Sequence, residues 1–245
     1  MELVFEKNFA VSPQDADSHG RLTLSAVLQY TQQAAEGHCE LLGTDWQTMH
    51  EKGLFWAVLR HKIVVERLPR TGQVITVKTW PMPTTRVAYP RAVQAVDENG
   101  QELFRVVSLW VLMDTNTRAM TLPARCGVEV PGTVLGIEPE LPGSLAPGVH
   151  QNETLWTVSQ EDLDVNCHVN NARYLAHTQS LSETLFAQRT PRQITVCYLS
   201  ECRLGQQIRI HWSVDENGVL SVDGLRARTD VPEKTERVFA AKICW

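Results

Sequence analysis

Residues 158–183 read VSQEDLDVNCHVNNARYLAHTQSLSE, and residues 11–36 read VSPQDADSHGRLTLSAVLQYTQQAAE. The two segments align without a gap at an offset of 147 residues, and eight of their positions are identical. The identical pairs are Val11/Val158, Ser12/Ser159, Asp15/Asp162, Asp17/Asp164, Leu28/Leu175, Thr31/Thr178, Gln32/Gln179 and Glu36/Glu183. Similarity at a fixed offset is the sequence signature of a repeated structural unit. The alignment therefore predicts a duplicated domain.

A proline- and glycine-rich segment separates the two halves. Pro123–Gly148 contains five prolines and five glycines, a density that is typical of irregular linkers. We therefore expect an N-terminal domain at residues 1–122, a linker at 123–150 and a C-terminal domain at 151–245. A chain of 245 residues is long enough for two domains that each bury their own core.

The two halves show the same order of predicted elements, namely a short strand, a polar loop, one helix and four more strands. The predicted strands are Leu3–Val11, Phe55–Val65, Val74–Trp80, Arg91–Val96 and Leu103–Met113 in the first half, and Glu153–Val158, Gln193–Cys202, Gln207–Val214, Val219–Arg228 and Glu236–Cys244 in the second. Residues 97–100 and 215–218 both read DENG, which carries the Asn-Gly hairpin signal. This pattern predicts an α+β fold in which each half is a mainly antiparallel sheet wrapped around a central helix.

Helical periodicity identifies one buried face in each predicted helix. In the first helix this face is formed by Val27, Thr31, Ala34, Ala35, His38 and Leu42, with Ser25 as the expected N-cap and Gly43 just beyond the C-terminus. In the second helix the face is formed by Leu175, Thr178, Leu181, Ser182 and Leu185, and Asn170 or Asn171 is the expected N-cap.

Composition excludes several classes of protein. A net charge of −5 argues against a nucleic-acid surface, and no stretch approaches the ~20 apolar residues of a membrane span. Residues 1–7 include two acidic residues, so we expect no signal or transit peptide there. The six cysteines are scattered without a Cys-x-x-Cys pair, so we expect no metal site, no disulfide framework and a reducing, cytoplasmic location. We also expect no cofactor, because no phosphate-binding glycine loop is present.

Polar residues are concentrated just before the second helix. Asp164, Asn166 and His168 occupy alternate positions, so their side chains would point to one side of an extended loop. The N-terminus of the following helix is suited to a developing oxyanion. Such residues are also ordinary turn and cap formers. The first half keeps the acid, Asp17, but has His19 and Arg21 at the other two positions, which favours one working site and one degenerate site.

Residues 162–171, which read DLDVNCHVNN, resemble the DLDVNxHVNN motif of the acyl-acyl carrier protein (ACP) thioesterases. Residues 198–202, YLSEC, are similar to the family's Tyr-x-x-Glu-Cys segment. In the first half, residues 54–60 and 108–118 resemble the Leu-x-Trp-Val-x-x-Arg stretch and the Ser-x-Trp-Val-x-Met strand with its Thr-Arg turn. The likeness indicates a bacterial relative of the plant fatty acyl-ACP thioesterases and implies a tandem double hot-dog fold.

This resemblance implies that Asp164, Asn166, His168 and Glu201 are catalytic, with Cys202 as an alternative nucleophile. A cysteine mechanism needs a thiolate and an acyl-enzyme, whereas direct hydrolysis needs a polarised carbonyl and a water activated by a carboxylate. If residues 193–202 form one strand, Glu201 and Cys202 face opposite sides of the sheet. We favour Glu201 as the base and a small buried hydrophobic role for Cys202.

The resemblance also places the acyl pocket in the N-terminal half, where we expect Val27, Leu28, Thr31 and Trp56 to contact substrate. A basic run formed by Arg60, His61, Lys62, Arg67 and Arg70 is either a surface for an acidic carrier protein or a solvated strand face. The function that the resemblance implies is hydrolysis of fatty acyl-ACP thioesters to free fatty acid and holo-ACP, which ends fatty-acid chain elongation. Two alternatives to this function remain, an acyl-coenzyme A thioesterase and a non-catalytic acyl-binding hot-dog module. The expected partner is acyl carrier protein bearing a fatty acyl phosphopantetheine, and the expected state is a monomeric pseudo-dimer or a homodimer.

Overall fold

The computed structural model describes residues 3–164, 166–181, 189–228, 230–231 and 233–245. The chain divides into two compact units, Met1–Pro142 and Gly143–Trp245. Three residues of the repeat and of the second predicted helix face, Ser182, Glu183 and Leu185, lie outside the described residues.

The first unit is an antiparallel sheet with one long helix. Its strands are β1 Phe5–Ala10, β2 Leu54–Val65, β3 Val74–Pro81, β4 Tyr89–Asp97, β5 Glu102–Asp114 and β6 Met120–Thr121, and its helices are α1 Leu24–Leu42, α2 Trp46–Glu51 and α3 Pro123–Cys126. The strand order is β1-β3-β4-β5-β2, and the short β6 pairs with β5. The helix α1 packs on β1 and β3. Sequence analysis missed α2, α3 and β6, which are too short to show a clear periodicity.

The second unit repeats this topology. Its elements are β7 Asn152–Thr157, α4 Asn171–Ser180, β8 Gln193–Tyr198, β9 Gln207–Val214, β10 Leu220–Ala227 and β11 Thr235–Cys244. The strand order is β7-β9-β10-β11-β8, again antiparallel throughout. Renumbered from the start of each unit, both sheets have the order 1-3-4-5-2, as a duplication requires.

The helix faces agree with the periodicity, and the caps agree in part. Predicted face residues Val27, Thr31, Ala34, Ala35 and His38 are buried in α1, as are Leu175 and Thr178 in α4. The left-handed Gly43 ends α1, and the Asn170 side chain caps α4 by accepting from Ala172 N at 2.9 Å. The expected N-cap Ser25 is wrong. The helix begins two residues earlier, because Thr23 Oγ1 accepts a hydrogen bond from Ala26 N at 3.2 Å.

Both predicted Asn-Gly turns join neighbouring antiparallel strands. Gly100 and Gly218 have φ values of 74° and 80°, the left-handed conformation that glycine adopts without steric cost. In each turn the aspartate at the first position accepts backbone N–H groups two and four residues later, from Asn99 and Gln101 in one turn and from Asn217 and Val219 in the other.

The proline- and glycine-rich segment is irregular apart from α3, but it is hydrogen-bonded along its length. Residues 123–142 attach to the first unit, where Trp80 Nε1 donates to Glu138 Oε1 at 2.8 Å. Residues 143–150 attach to the second unit, where Gly148 N donates to Asp223 Oδ2 at 2.8 Å. Proline removes backbone donors, so the segment is held through side chains and single carbonyls instead of a strand ladder.

The described part of the chain contains neither a membrane-spanning helix nor a candidate metal site. None of its helices is long and apolar enough to cross a membrane. Within the same residues, no group of three or more His, Cys, Asp or Glu side chains could hold a metal ion.

Candidate active site

The loop that carries Asp164, Asn166 and His168 is a tight turn. Asp164 N donates to His168 O at 2.8 Å, and Cys167 N donates to Asp164 O at 3.0 Å. The Asp164 carboxylate accepts the backbone N–H groups of Asn166 at 2.9 Å and His168 at 3.2 Å. The loop is therefore not extended, and the condition for placing the three side chains on one side is not met. Aspartate bonds readily to backbone N–H groups just ahead of it, and this closes the turn.

The first unit contains the same turn with a different chemistry. Asp17 Oδ1 accepts the N–H groups of His19 and Arg21, each at 2.9 Å. The Arg21 guanidinium then bonds back to Asp17 Oδ2 at 2.8–2.9 Å. Gly20 has φ 71°, and its counterpart in the second unit, Cys167, has φ 60°. The first turn is thus closed on itself by an ion pair, whereas the second presents a carboxamide and an imidazole.

The structure brings His168 and Glu201 together. Nε2 of His168 lies 3.2 Å from Oε2 of Glu201. The histidine side chain is 15% exposed and the glutamate side chain 42% exposed, so the pair reaches the surface of the second unit. A carboxylate beside an imidazole can accept a proton from water and pass it to the histidine.

Glu201 and Cys202 lie in a loop, which corrects the predicted strand Gln193–Cys202. The strand β8 ends at Tyr198, and residues 199–206 lead to β9. The two side chains nevertheless have opposite environments, since Cys202 is fully buried. Burial raises the pKa of the Cys202 thiol, because a thiolate is poorly solvated there. Cys202 O also accepts from Val169 N at 2.9 Å, which ties this loop to the turn that bears His168.

Asp162, the first acid of the motif, is structural. Only 2% of it is exposed, and its carboxylate accepts from Trp156 Nε1 at 3.1 Å, Ser159 N at 2.9 Å and Arg173 Nε at 2.8 Å. Burial by itself would raise the pKa of Asp162, but these hydrogen bonds outweigh it and hold the pKa well below its usual range. The carboxylate therefore fixes the strand, the turn and the helix around the site.

The N-terminus of α4 is partly occupied by its own cap. Ala172 N donates to Asn170 Oδ1, and Arg173 N donates to Asn170 O, both at 2.9 Å. These two N–H groups are committed within the protein.

Sequence models of the acyl-ACP thioesterase N-terminal and C-terminal domains match residues 2–122 and 147–243. Together these ranges cover most of the chain. The chain belongs to the acyl-ACP thioesterase family.

Several plant proteins of the family are similar to this chain. The palmitoyl-acyl carrier protein thioesterase of Gossypium hirsutum is 27% identical over 216 residues, which cover 82% of this chain and 52% of that protein. The dodecanoyl-[acyl-carrier-protein] hydrolase of Umbellularia californica is 28% identical over 227 residues, which cover 84% of this chain and 58% of that protein. The chain therefore spans about half the length of the curated relatives it matches.

Solved structures from the family share the fold. An acyl-ACP thioesterase from Bacteroides thetaiotaomicron superposes with a TM-score of 0.84 at 23% identity, covering 98% of this chain and 97% of that one. The 12:0-ACP thioesterase of Umbellularia californica gives a TM-score of 0.81 at 24% identity, covering 100% and 98%. The predicted hot-dog fold, repeated in tandem along the chain, is confirmed.

The expected acyl-binding residues of this family member lie in the first unit. Val27, Leu28 and Thr31 are buried on α1. The Thr31 hydroxyl has no hydrogen-bond partner among the described residues. Trp56 lies in a separate cluster, where it meets Tyr89 edge-on and donates from Nε1 to Thr44 O at 2.8 Å. Their contact with an acyl chain remains a prediction.

The basic run at residues 60–70 contains one neutral histidine and two cations that lie in ion pairs. His61 is buried against Ser108, and burial lowers the pKa of His61 to about 3, so it is neutral. Lys62 lies 3.5 Å from Glu140 and Arg67 lies 2.7 Å from Asp97. Arg60 and Lys62 lie two residues apart on β2 and therefore share one face of the strand, whereas Arg67 and Arg70 lie beyond its end.

Sequence analysis did not select Arg226, which the structure places against the loop that carries Glu201. Arg226 lies opposite Glu236 in the β10–β11 register. In the sequence, the feature that could have identified Arg226 was this pair of opposite charges on two predicted strands. Its contacts with residues 200–206 depend on the packed sheet and have no sequence signature.

Proposed function

We propose that this protein hydrolyses fatty acyl-ACP thioesters to free fatty acid and holo-ACP. The observation that carries the proposal is the His168–Glu201 pair, 3.2 Å apart, beside a turn whose backbone is fixed by Asp164. Membership of the acyl-ACP thioesterase family supports the same activity.

In the proposed mechanism, water attacks the thioester carbonyl directly. Glu201 takes the proton of the water as the new C–O bond forms, and the Asn166 carboxamide donates a hydrogen bond to the developing oxyanion. The C–S bond then breaks, and the departing sulfur receives a proton through His168. Asp164 acts on the geometry of the site, because its carboxylate is bonded to the backbone of the two residues that face the substrate.

The test compares the two units of the duplication. On palmitoyl-ACP, with release of the carrier thiol as the readout, we expect Asp164→Ala, Asn166→Ala and His168→Ala each to lower kcat by at least about 10²-fold. The matched controls are His19→Ala and Arg21→Ala, at the equivalent positions of the first unit, and these should leave kcat nearly unchanged. A folded His168→Ala protein with normal turnover would refute the assignment, and an equal loss in His19→Ala would indicate two working sites.

The acyl carrier and the cellular location are part of the same proposal. The names of the plant relatives specify acyl carrier protein and a chloroplast location, and we propose ACP as the partner and the cytoplasm as the location here. Comparison of kcat/KM for one acyl group on ACP and on coenzyme A separates the main function from an acyl-coenzyme A thioesterase. Binding of acyl-ACP without thiol release would support the non-catalytic alternative.

A further inference from the structure

The loop at residues 199–206 carries Glu201 but has no helix or strand of its own. The Glu201 side chain is 42% exposed, so packing around the side chain restricts it little. Its position relative to His168 depends on how the loop backbone is anchored.

Arg226, near the end of β10, contacts the loop on both sides of Glu201. One terminal nitrogen, Nη1, donates to the backbone oxygen of Glu201 and to Gln206 Oε1, the latter at 2.6 Å. The other, Nη2, donates to Ser200 Oγ at 2.9 Å. The Arg226 side chain is only 10% exposed, so the guanidinium is committed to these protein oxygens.

The sheet holds the guanidinium in place from behind. Nε and Nη2 of Arg226 both donate to Glu236 Oε1, at 2.9 and 2.7 Å. A register irregularity between Gly224 and Leu225 precedes this pair, and such bulges re-aim the side chains that follow them. A Cβ at Gly224 would overlap the Phe239 ring, so glycine is required where the strand bends.

We propose that Arg226 is a positioning residue that sets the distance between Glu201 and His168. The inference rests on the function proposed above. Arg226 fixes the carbonyl of Glu201 itself and one side chain on either side of it, and thereby holds the backbone from which the carboxylate extends. A misplacement of about 1 Å in a catalytic group can cost about 10²-fold in rate, so a loosened loop lowers kcat without removing any reacting atom.

The first experiment uses Arg226→Lys in the full-length protein. Lysine keeps the charge, but a single ammonium cannot reproduce the planar fork that joins four oxygens. With palmitoyl-ACP we expect kcat to fall at least about tenfold, with KM within about threefold of wild type. Arg228→Lys is the matched control, because Arg228 is two residues away, exposed and paired with Asp230, and it should change neither constant.

A spectroscopic readout separates positioning from general destabilisation. In protein labelled with ¹⁵N-histidine, the ring resonances of His168 in Glu201→Gln mark the state without the carboxylate contact. We expect Arg226→Lys to shift these resonances toward that state, and Arg228→Lys to leave them in place. Normal kcat with unchanged His168 resonances in Arg226→Lys, or an equal loss in Arg228→Lys, would overturn the proposal.

If Arg226→Lys does not fold, the milder variant Ser200→Ala tests the same positioning role of Arg226. Ser200→Ala removes one anchor of the loop and leaves Arg226 in place. We expect it to shift the same His168 resonances in the same direction and to lower kcat about threefold, and unchanged resonances would overturn the proposal. The ring resonances do not depend on turnover, so they test Arg226 even if Glu201→Gln keeps full activity and the hydrolytic function is wrong.

Discussion

Glu201 and Cys202 are consecutive residues with opposite surroundings. The Glu201 carboxylate lies against His168 and is partly exposed. The Cys202 thiol is fully buried, and burial raises its pKa, so the thiol stays protonated near neutral pH. A nucleophilic cysteine requires the reverse, namely an accessible thiolate.

This contrast predicts opposite results for two conservative substitutions. Glu201→Gln keeps the size of the side chain but removes the base, so kcat on palmitoyl-ACP should collapse while substrate still binds. Cys202→Ser should change kcat little and cost only stability, since the buried thiol packs beside Tyr174 and Arg226 and the smaller hydroxyl fills that space less well. The measurement is steady-state kinetics together with mass spectrometry of rapidly quenched enzyme. An acyl group trapped on Cys202 would establish the cysteine mechanism instead.

Cys167 lies between two proposed catalytic residues and has the φ value of a left-handed residue, 60°. This conformation costs a non-glycine residue about 1–2 kcal/mol. Its repeat counterpart is Gly20, where an added Cβ would meet nothing closer than Thr71 Oγ1 at 3.9 Å. The two turns thus differ in backbone strain with little difference in packing.

We predict that substitutions at these two positions change stability in opposite directions. Gly20→Ala should destabilise the protein by about 1 kcal/mol, from the left-handed backbone alone. Cys167→Gly should be neutral or stabilising by about 0.5 kcal/mol, because relief of the left-handed strain is partly offset by the larger chain entropy that glycine loses on folding, and turnover should survive. Urea denaturation and steady-state kinetics provide the measurements. Strong destabilisation by Cys167→Gly would show that the thiol makes an interaction that stabilises the turn.

Among the elements, the start of α4 depends on Asp162 more than the start of α1 depends on Asp15. Asn170 N donates to Asp162 O at 2.8 Å, and Thr23 N donates to Asp15 O at 2.9 Å, so both backbones are held alike. The side chains differ. Asp15 accepts from Tyr30 at 2.8 Å, whereas buried Asp162 accepts from Trp156, Ser159 and Arg173.

Asp162→Asn is therefore expected to cost more than Asp15→Asn. Hydrogen bonds to a charged partner contribute about 1.5–3 kcal/mol, so we expect a loss of about 2–3 kcal/mol at pH 7 for Asp162→Asn and less than about 1 kcal/mol for Asp15→Asn. The pKa of Asp162 is lowered by folding. Its contribution is thus complete above about pH 4 and is lost as the pH falls further. Urea denaturation at pH 7 and pH 3 should show the difference from wild type shrinking, and a constant difference would contradict this.

At the scale of the whole molecule, the two units share one topology but are expected to have different roles in catalysis. Leu28 in α1 and Leu175 in α4 are equivalent in the repeat, and both are buried. Under the proposed function, the first unit binds the acyl chain and the second carries the chemistry. The same substitution in the two helices should then have different effects on substrate preference.

We predict that Leu28→Val changes chain-length preference and Leu175→Val does not. Each substitution should cost about 1 kcal/mol of stability. A buried methylene is worth about 0.8 kcal/mol, or roughly fourfold in affinity, so Leu28→Val should change the ratio of kcat/KM between longer and shorter acyl-ACPs by about that factor. A panel of acyl-ACPs of increasing length measures the ratio. Equal ratios in the two variants would show that α1 does not line the acyl site.

The sequence by itself determined the duplication, the order of elements and the DENG hairpins. It also supplied the residues of the candidate site. These features depend on local signals, because periodicity, turn chemistry and a long motif are written in neighbouring residues. It gave the wrong cap at Ser25 and the wrong end for β8, since boundaries depend on which single hydrogen bond forms.

The tertiary structure alone decided which distant residues meet. The contact of His168 with Glu201, the burial of Cys202 and His61, and the reach of Arg226 to the Glu201 loop all arise between segments far apart in the chain. The strand order 1-3-4-5-2 in each unit likewise depends on pairing between segments far apart in the chain. Pairing of distant strands is set by the packing of the whole core, so no local pattern encodes it.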